Sequence, residues 1–159
     1  MAMHTWFECK IRYEKVMENG MQKKVTEPYL VYALSFTEAE ARIIEEMTPF
    51  ISGEFTVSDI KRANYSELFP SDEESADRWF KCKLIFITLD EKSGAEKKTS
   101  TQVLVQAADL RDAVKKLDEG MKGTMADYQI GMVSETPLMD VYPYSAEPND
   151  KPEFDPSKA

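Results

Sequence analysis

Two short stretches of the chain carry side chains that could bind a nucleic acid. Trp6-Phe7-Glu8-Cys9-Lys10 returns as Trp79-Phe80-Lys81-Cys82-Lys83, and together they hold both tryptophans and both cysteines of the chain. Alternate side chains of an extended strand face opposite ways. In each copy one face therefore interleaves an aromatic ring with cations, and this face comprises Trp6, Lys10 and Arg12 in the first copy and Trp79, Lys81 and Lys83 in the second.

Such a face suits single-stranded DNA or RNA, because bases stack on aromatic rings while Lys and Arg neutralise phosphates. Three pairs of cations would extend the track, namely Lys23-Lys24, Lys61-Arg62 and Lys97-Lys98. Nucleic-acid binding on this aromatic and basic sheet face is our first hypothesis. The alternative is that the tryptophans are buried between sheets and that the lysines protect strand edges. The protein would then be a protein–protein adaptor or a homo-oligomeric module that uses a sheet edge or the tyrosine-rich third segments.

The other residues of potential chemical interest do not form a catalytic or metal-binding pattern. The single histidine, His4, lies at the N-terminus, where an imidazole has little to position it. Cys9 and Cys82 share their strand faces with apolar residues, which predicts two buried thiols rather than nucleophiles. The acidic run 71–77 lacks the ligand spacing and the turn glycine of a calcium loop. We therefore expect a non-catalytic protein without a metal or cofactor.

The elements that position these residues can be predicted from periodicity. Trp6 to Met17 alternates like a half-buried strand, Asn19-Gly20 predicts a tight hairpin, and Lys23 to Ala33 predicts the returning strand. A capping box at Ser35 begins an amphipathic helix, and a third extended segment runs from Phe55 to Pro70. The same series follows about 73 residues later, with Asp109 as the second N-cap.

The predicted fold is therefore α+β, with two tandem β-β-α-β repeats related by a pseudo-twofold axis and antiparallel sheets covered by one helix per repeat. We expect one domain over 1–144, made of repeat 1 (4–70), an acidic linker (71–77) and repeat 2 (78–144). A proline-rich acidic tail follows over 145–159 and is expected to be flexible. Right-handed crossovers predict the strand order 2-1-3 in each repeat. Pro28 predicts that the second strand is an edge, because proline cannot donate to a ladder.

The charge of the chain narrows the class of partner. The net charge is −9, and most of the excess lies in the linker and the tail. The net negative charge argues against binding of duplex DNA through the electrostatic field of the whole protein. The two repeats themselves are close to neutral. The opening residues do not read as a signal peptide, and no apolar run approaches the roughly 20 residues of a membrane helix. Together with the two isolated cysteines, this predicts a cytoplasmic protein and no membrane partner.

Three stretches carry a resemblance to a known family. They are the Trp-Phe-Glu-Cys-Lys opening, the Tyr-Leu-Val-x-Ala-Leu-Ser-Phe-Thr-Glu-Ala-Glu-Ala helix entry, and the Met-Asp-Val-Tyr-Pro-Tyr ending. From Trp6 to about Tyr144 the chain resembles a family found in Bacteroides and related bacteria that is described as a domain of unknown function. The resemblance implies no activity, cofactor or catalytic residue.

Overall fold

Eight strands and two helices make up the part of the chain that the computed structural model describes, residues 5–125 and 127–143. In chain order they are β1 (Thr5–Val16), β2 (Gln22–Ala33), α1 (Phe36–Met47), β3 (Phe55–Ala63), β4 (Glu67–Phe69), β5 (Arg78–Leu89), β6 (Glu96–Ala107), α2 (Leu110–Gly120), β7 (Tyr128–Glu135) and β8 (Asp140–Tyr142). Each helix follows a pair of antiparallel strands. The predicted α+β class and the two tandem β-β-α-β units are therefore confirmed. His4 and the tail lie outside the described residues.

The first sheet has the order β3-β1-β2-β8. The hairpin predicted at Asn19-Gly20 is present: Gly20 has a φ of 81°, and Asn19 Oδ1 accepts a hydrogen bond from Met21 N at 3.0 Å. The apolar face of β1 and β2 packs against α1, as its alternation predicts. The buried residues of this core are Phe7, Cys9, Ile11, Tyr29, Val31, Ala33, Ala39, Ile43 and Met47.

The second sheet has the order β4-β6-β5-β7 and repeats the registers of the first. Phe80 pairs with Val105 as Phe7 pairs with Val31. Its core against α2 consists of Phe80, Cys82, Leu84, Val103, Val105, Ala107, Ala113, Leu117 and Met121. In both sheets the order of the three long strands agrees with the predicted order 2-1-3.

A short fourth strand changes two of the expectations. β8 pairs in parallel with β2, and β4 pairs in parallel with β6, so each antiparallel three-stranded sheet gains one parallel strand. The prediction that Pro28 marks β2 as an edge is wrong over Tyr29–Val31, which pair with β8. Proline lacks only the N–H, and the Pro28 carbonyl accepts a hydrogen bond from Met139 N at 2.9 Å.

The short strands also separate the sequence repeats from the compact units of the structure. The chain leaves the first unit after Ala63 and returns to it at Leu138. The first unit therefore contains β8 from the end of repeat 2, and the second contains β4 from the end of repeat 1. The third segment expected from Phe55 to Pro70 is correspondingly divided into β3 and β4.

The acidic linker packs onto the second unit. Ser71 N donates to Gln106 Oε1 at 2.9 Å, and Lys116 Nζ lies 3.3 Å from Glu73 Oε2. Ala76 is buried. The run 71–77 is thus part of that unit, held by hydrogen bonds at its first residues and by the burial of Ala76 near its end.

Both helices begin at the predicted caps. Ser35 Oγ accepts from Glu38 N at 3.1 Å, and Asp109 Oδ1 accepts from Asp112 N at 2.8 Å. Neither of these two helices has the length and apolar character needed to cross a membrane.

Candidate functional site

The two tryptophans of the predicted nucleic-acid face are buried. Trp6 is 8% exposed and Trp79 is 5% exposed. The Tyr32 ring lies against Trp6, with the ring centroids 4.7 Å apart. Stacking on a nucleotide base requires an open ring face. The aromatic part of the predicted surface is therefore not accessible, although the alternation did assign both rings to the face away from the helix.

The predicted cations differ in their exposure. Lys10 and Lys81 are half-buried, whereas Arg12 and Lys83 are exposed. In each sheet these cations follow the tryptophan along one face of the central strand, β1 or β5. The structure thus places each predicted triplet on one face, but it leaves only the cations at its far end open to solvent.

The three pairs of cations that were expected to extend the track fall into two groups. Lys61 is ion-paired with Glu8 at 3.5 Å, and the Arg62 guanidinium lies over the rings of Phe7 and Phe36, 5.6 Å from each centroid. Lys61-Arg62 therefore belongs to the internal contacts of the first unit. The pairs Lys23-Lys24 and Lys97-Lys98 are exposed on the two hairpins.

The cysteines lie in the two cores, as predicted. Cys9 and Cys82 are free thiols with no exposed surface. Burial raises the pKa of Cys9 to about 12 and that of Cys82 to about 11. A thiol needs a depressed pKa to act as a nucleophile, so both side chains are placed for packing. Among residues 5–125 and 127–143 no group of three or more His, Cys, Asp or Glu side chains could hold a metal ion.

A cavity of the first unit lies beside the turn end of its hairpin. This hairpin groove has a volume of about 830 Å³, and it is formed by the ends of β1 and β2 together with the loop from α1 to β3. Ligand pockets commonly enclose about 300–1,000 Å³. The groove is lined by Arg12, Tyr13, Glu14, Lys15, Val16, Gln22, Lys24 and residues 50–56.

Exposed apolar side chains surround this groove. Phe50, on the loop, is 76% exposed, and Val16, on the hairpin arm, is 65% exposed. Met17 and Met21 continue the apolar surface around the hairpin turn, at 40% and 67% exposure. Large apolar groups that remain in water and lie around one depression are typical of an interaction surface.

The charges of the hairpin groove nearly balance. Arg12, Lys15 and Lys24 contribute three positive charges, and Glu14 and Glu54 contribute two negative ones. Glu27, which pairs with Lys15, adds a third negative charge beside the groove, so this surface is neutral in a chain with a net charge of −9. The groove therefore offers an apolar contact together with partners for carboxylates.

The groove adjoins a cluster that we call the Tyr–Glu cluster, Tyr13, Glu27 and Tyr29. Tyr13 Oη donates to Glu27 Oε1 at 2.8 Å, and Tyr29 Oη donates to the same oxygen at 3.3 Å. Lys15 Nζ lies 3.8 Å from Glu27 Oε2, and the Glu27 side chain is only 12% exposed. Tyr13 belongs to both the cluster and the groove lining, and Lys15, also in the lining, is ion-paired with the cluster's Glu27, so the cluster helps to position two groove residues.

Burial and the Glu27 carboxylate raise the pKa values of both phenols. Burial, followed by the hydrogen bond to Glu27, raises the pKa of Tyr13 to about 12. Burial likewise raises the pKa of Tyr29, with a further contribution from the Glu27 charge. Both tyrosine hydroxyls donate hydrogen bonds to Glu27, and the raised pKa values extend this protonated form to higher pH.

The second unit lacks the residues of the Tyr–Glu cluster. At the positions of Tyr13, Glu27 and Tyr29 it has Phe86, Thr101 and Val103. The cavity at its hairpin, about 550 Å³, is lined by Thr88, Leu89, Asp90, Glu91, Lys92 and Lys97, all from the hairpin itself.

The sequence contained a signal for the Tyr–Glu cluster, since a carboxylate stands on a core face of one repeat only. No comparable signal existed for the groove, because the loop 50–56 reaches the hairpin only through the tertiary fold. The two features together are the candidate functional site of the first unit.

The comparison with protein families identifies the chain as a member of one family. It belongs to the family described as Domain of unknown function (DUF4494), whose model matches residues 5–144. The match covers all of the described residues. A comparison with curated proteins gave no match.

Proposed function

We propose that this member of the family is a non-catalytic protein-interaction module whose hairpin groove binds a short segment of a partner protein. The observation that carries the proposal is the exposure of Phe50 and Val16 in one groove of suitable size. Each side chain would lose its contact with water when a partner segment enters. Burial of apolar surface is the main favourable contribution to such association.

The composition of the groove favours a protein segment. Met17 and Met21 lie beside it, and methionine-rich surfaces adapt to partners of varied shape. The cations Arg12 and Lys24 can pair with carboxylates of the segment, which fixes its direction. We expect a segment with one apolar or aromatic anchor flanked by acidic residues. A cytoplasmic location belongs to the same proposal and is supported by the two free thiols.

Selection of peptides from a random displayed library against the full chain tests this proposal. Selected peptides should share an apolar anchor beside acidic residues, and synthetic copies should bind in calorimetry. Phe50→Ala should weaken their binding at least about five-fold, the effect of losing a contact of about 1 kcal/mol. Val16→Ala should act in the same direction.

Leu89 provides a matched control, because it occupies in β5 the position that Val16 occupies in β1 and is 69% exposed. Leu89→Ala should leave peptide binding unchanged. The proposal would be wrong if the selection yields no common pattern, or if the peptides bind wild type and Phe50→Ala equally well.

A second candidate is single-stranded nucleic-acid binding at the same groove. It is favoured by the exposed Phe50 ring beside Arg12 and Lys24, which reproduces the pairing of an aromatic ring with cations. Glu14 and Glu54 oppose it, because they repel phosphates. This candidate places the contact at the groove rather than at the two buried tryptophans.

Fluorescence anisotropy of a labelled mixed-sequence oligonucleotide separates the two candidates. Nucleic-acid binding predicts affinity that falls with salt, and Lys24→Ala should reduce the salt slope by about 1. Lys98→Ala changes the equivalent lysine of the second hairpin and should have no effect. Absence of salt-sensitive binding at low ionic strength would exclude this candidate and leave the protein-segment proposal.

A further inference from the structure

We infer that residues 152–156 of the same chain, Pro-Glu-Phe-Asp-Pro, occupy the hairpin groove when no partner is present. The inference rests on the proposed function, since it assigns an internal competitor to the same groove. It is drawn from the chemistry of the groove, from the sequence that follows Pro143, and from the distance between them.

The segment has the features that the groove selects. Phe154 is the only aromatic residue between 145 and 159, and Glu153 and Asp155 flank it directly. Residues 145–159 contain four Asp or Glu side chains and two lysines. An aromatic anchor between two acids matches the exposed Phe50 and Val16 and the cations Arg12 and Lys24. Prolines on both sides restrict the free chain and so reduce the entropy lost on binding.

The chain between β8 and the segment is long enough to reach the groove. Tyr142 pairs with Val31 on β2, and Lys24 lies seven residues earlier on that strand, which is about 23 Å away at ~3.3 Å per residue. Phe154 follows Tyr142 by twelve residues, which can span up to about 40 Å. The excess leaves room for the reversal of direction that the parallel pairing of β8 with β2 requires.

A tethered segment needs little intrinsic affinity to compete. Its effective concentration is on the order of 1 mM. If the free segment bound with a Kd of about 0.1 mM, a partner peptide would bind about ten-fold more weakly to the full chain than to one with an empty groove.

Paramagnetic relaxation in the full-length protein tests the inference directly. A nitroxide is attached at Ser157→Cys, which labels selectively because Cys9 and Cys82 are fully buried and their burial raises both pKa values. The amide signals of residues 50–56 and of the strand ends beside the groove should lose intensity relative to the reduced nitroxide. Phe154→Ala and Phe50→Ala should each remove this loss, whereas Leu89→Ala should retain it.

Three results would overturn the inference. The first is a loss of intensity confined to residues next to Pro143, and the second is an equal loss in Phe154→Ala. The third is a loss that persists when nitroxide-labelled molecules without ¹⁵N are mixed with ¹⁵N molecules that carry no nitroxide. The last result would place the segment in a second copy of the chain.

Peptide binding then distinguishes this inference from the proposed function. Phe154→Ala should tighten the binding of a selected peptide about ten-fold. If peptides bind wild type and Phe154→Ala equally and the nitroxide effect is absent, the groove retains its proposed function and the internal competitor is rejected. If no peptide is selected, the nitroxide still reports whether the segment occupies the groove.

Discussion

Glu27 lies at a position where a β-sheet core usually has an apolar residue, and the second unit has Thr101 there. A carboxylate that loses water must recover its hydrogen bonds from the protein. Tyr13 and Tyr29 supply two of them, and Lys15 supplies an opposite charge. The cost of burying Glu27 is thereby offset, and Tyr13, which lines the groove, is oriented by its hydrogen bond.

Removal of this carboxylate should destabilise the first unit. Glu27→Ala leaves two phenol groups without their acceptor, so the free energy of unfolding should fall by about 1–3 kcal/mol. Urea denaturation measures the change. Glu14→Ala, an exposed position on the neighbouring strand, is the control and should stay within about 0.5 kcal/mol.

A variant that copies the second unit tests the same explanation from the other side. Glu27→Thr combined with Tyr13→Phe and Tyr29→Val removes donors and acceptor together, so it should be more stable than Glu27→Ala alone. Equal stability of Glu27→Ala and wild type would mean that the two hydrogen bonds contribute nothing in solution.

For the two tryptophans, the sequence predicted the face of the strand correctly but not whether that face is covered. Alternation along β1 and β5 predicted correctly which face each tryptophan occupies, because that depends only on the pleat. Whether a face is covered depends on side chains from distant parts of the sequence. The Tyr32 ring beside Trp6 comes from the neighbouring strand. The predicted role in base stacking therefore needed information that the two pentapeptides do not contain.

The two helices differ in the side-chain contacts that stabilise their first turns. Both have a capping side chain, but Asp112 also accepts from Ala108 N at 2.9 Å and pairs with Lys116 at 3.0 Å. These hydrogen bonds, the one from Ala108 N first, lower the pKa of Asp112. Helix α2 therefore begins with a reciprocal set of side-chain contacts.

Removal of either cap should weaken the unit to which it belongs. Ser35→Ala and Asp109→Ala should each reduce the free energy of unfolding by about 1 kcal/mol, because each leaves an N-terminal N–H without its acceptor. Chemical denaturation of the full chain measures both. Glu40→Ala and Glu119→Ala change exposed helix positions and serve as controls. A cap variant as stable as its control would contradict this account.

The features that were predicted correctly depend on residues that are close together in the sequence. The hairpin at Asn19-Gly20, the caps at Ser35 and Asp109, and the central place of β1 and β5 all follow from nearby residues. The short strands β4 and β8 have three residues each and pair in parallel with distant partners. Three residues carry no usable periodicity, and so neither the pairing of β8 with Tyr29–Val31 nor the division of the third segments could be predicted.

At the scale of the whole molecule, the duplication in the sequence and the compact units of the structure have different boundaries. The second unit is continuous in sequence, from Asn64 to Pro137, whereas the first is assembled from two stretches. The second unit contains β4, whose Phe69 packs against its core and lies over Gly120, where a Cβ would come within 2.9 Å of the ring. It also contains the linker contacts of Ser71 and Glu73 with Gln106 and Lys116.

Two fragments of the chain distinguish these boundaries. Residues 64–137 contain every strand of the second sheet, whereas residues 78–144, the second sequence repeat, lack β4 and the linker. We expect fragment 64–137 to unfold cooperatively in urea and to be more stable than 78–144 by about 3 kcal/mol or more, the scale of losing a core-packed aromatic side chain. Phe69→Ala in fragment 64–137 should reproduce part of that loss, while Met132→Ala, at an exposed position of β7, should not. If 78–144 were as stable as 64–137, the fourth strand would add nothing to the sheet and the sequence repeat would be the folding unit.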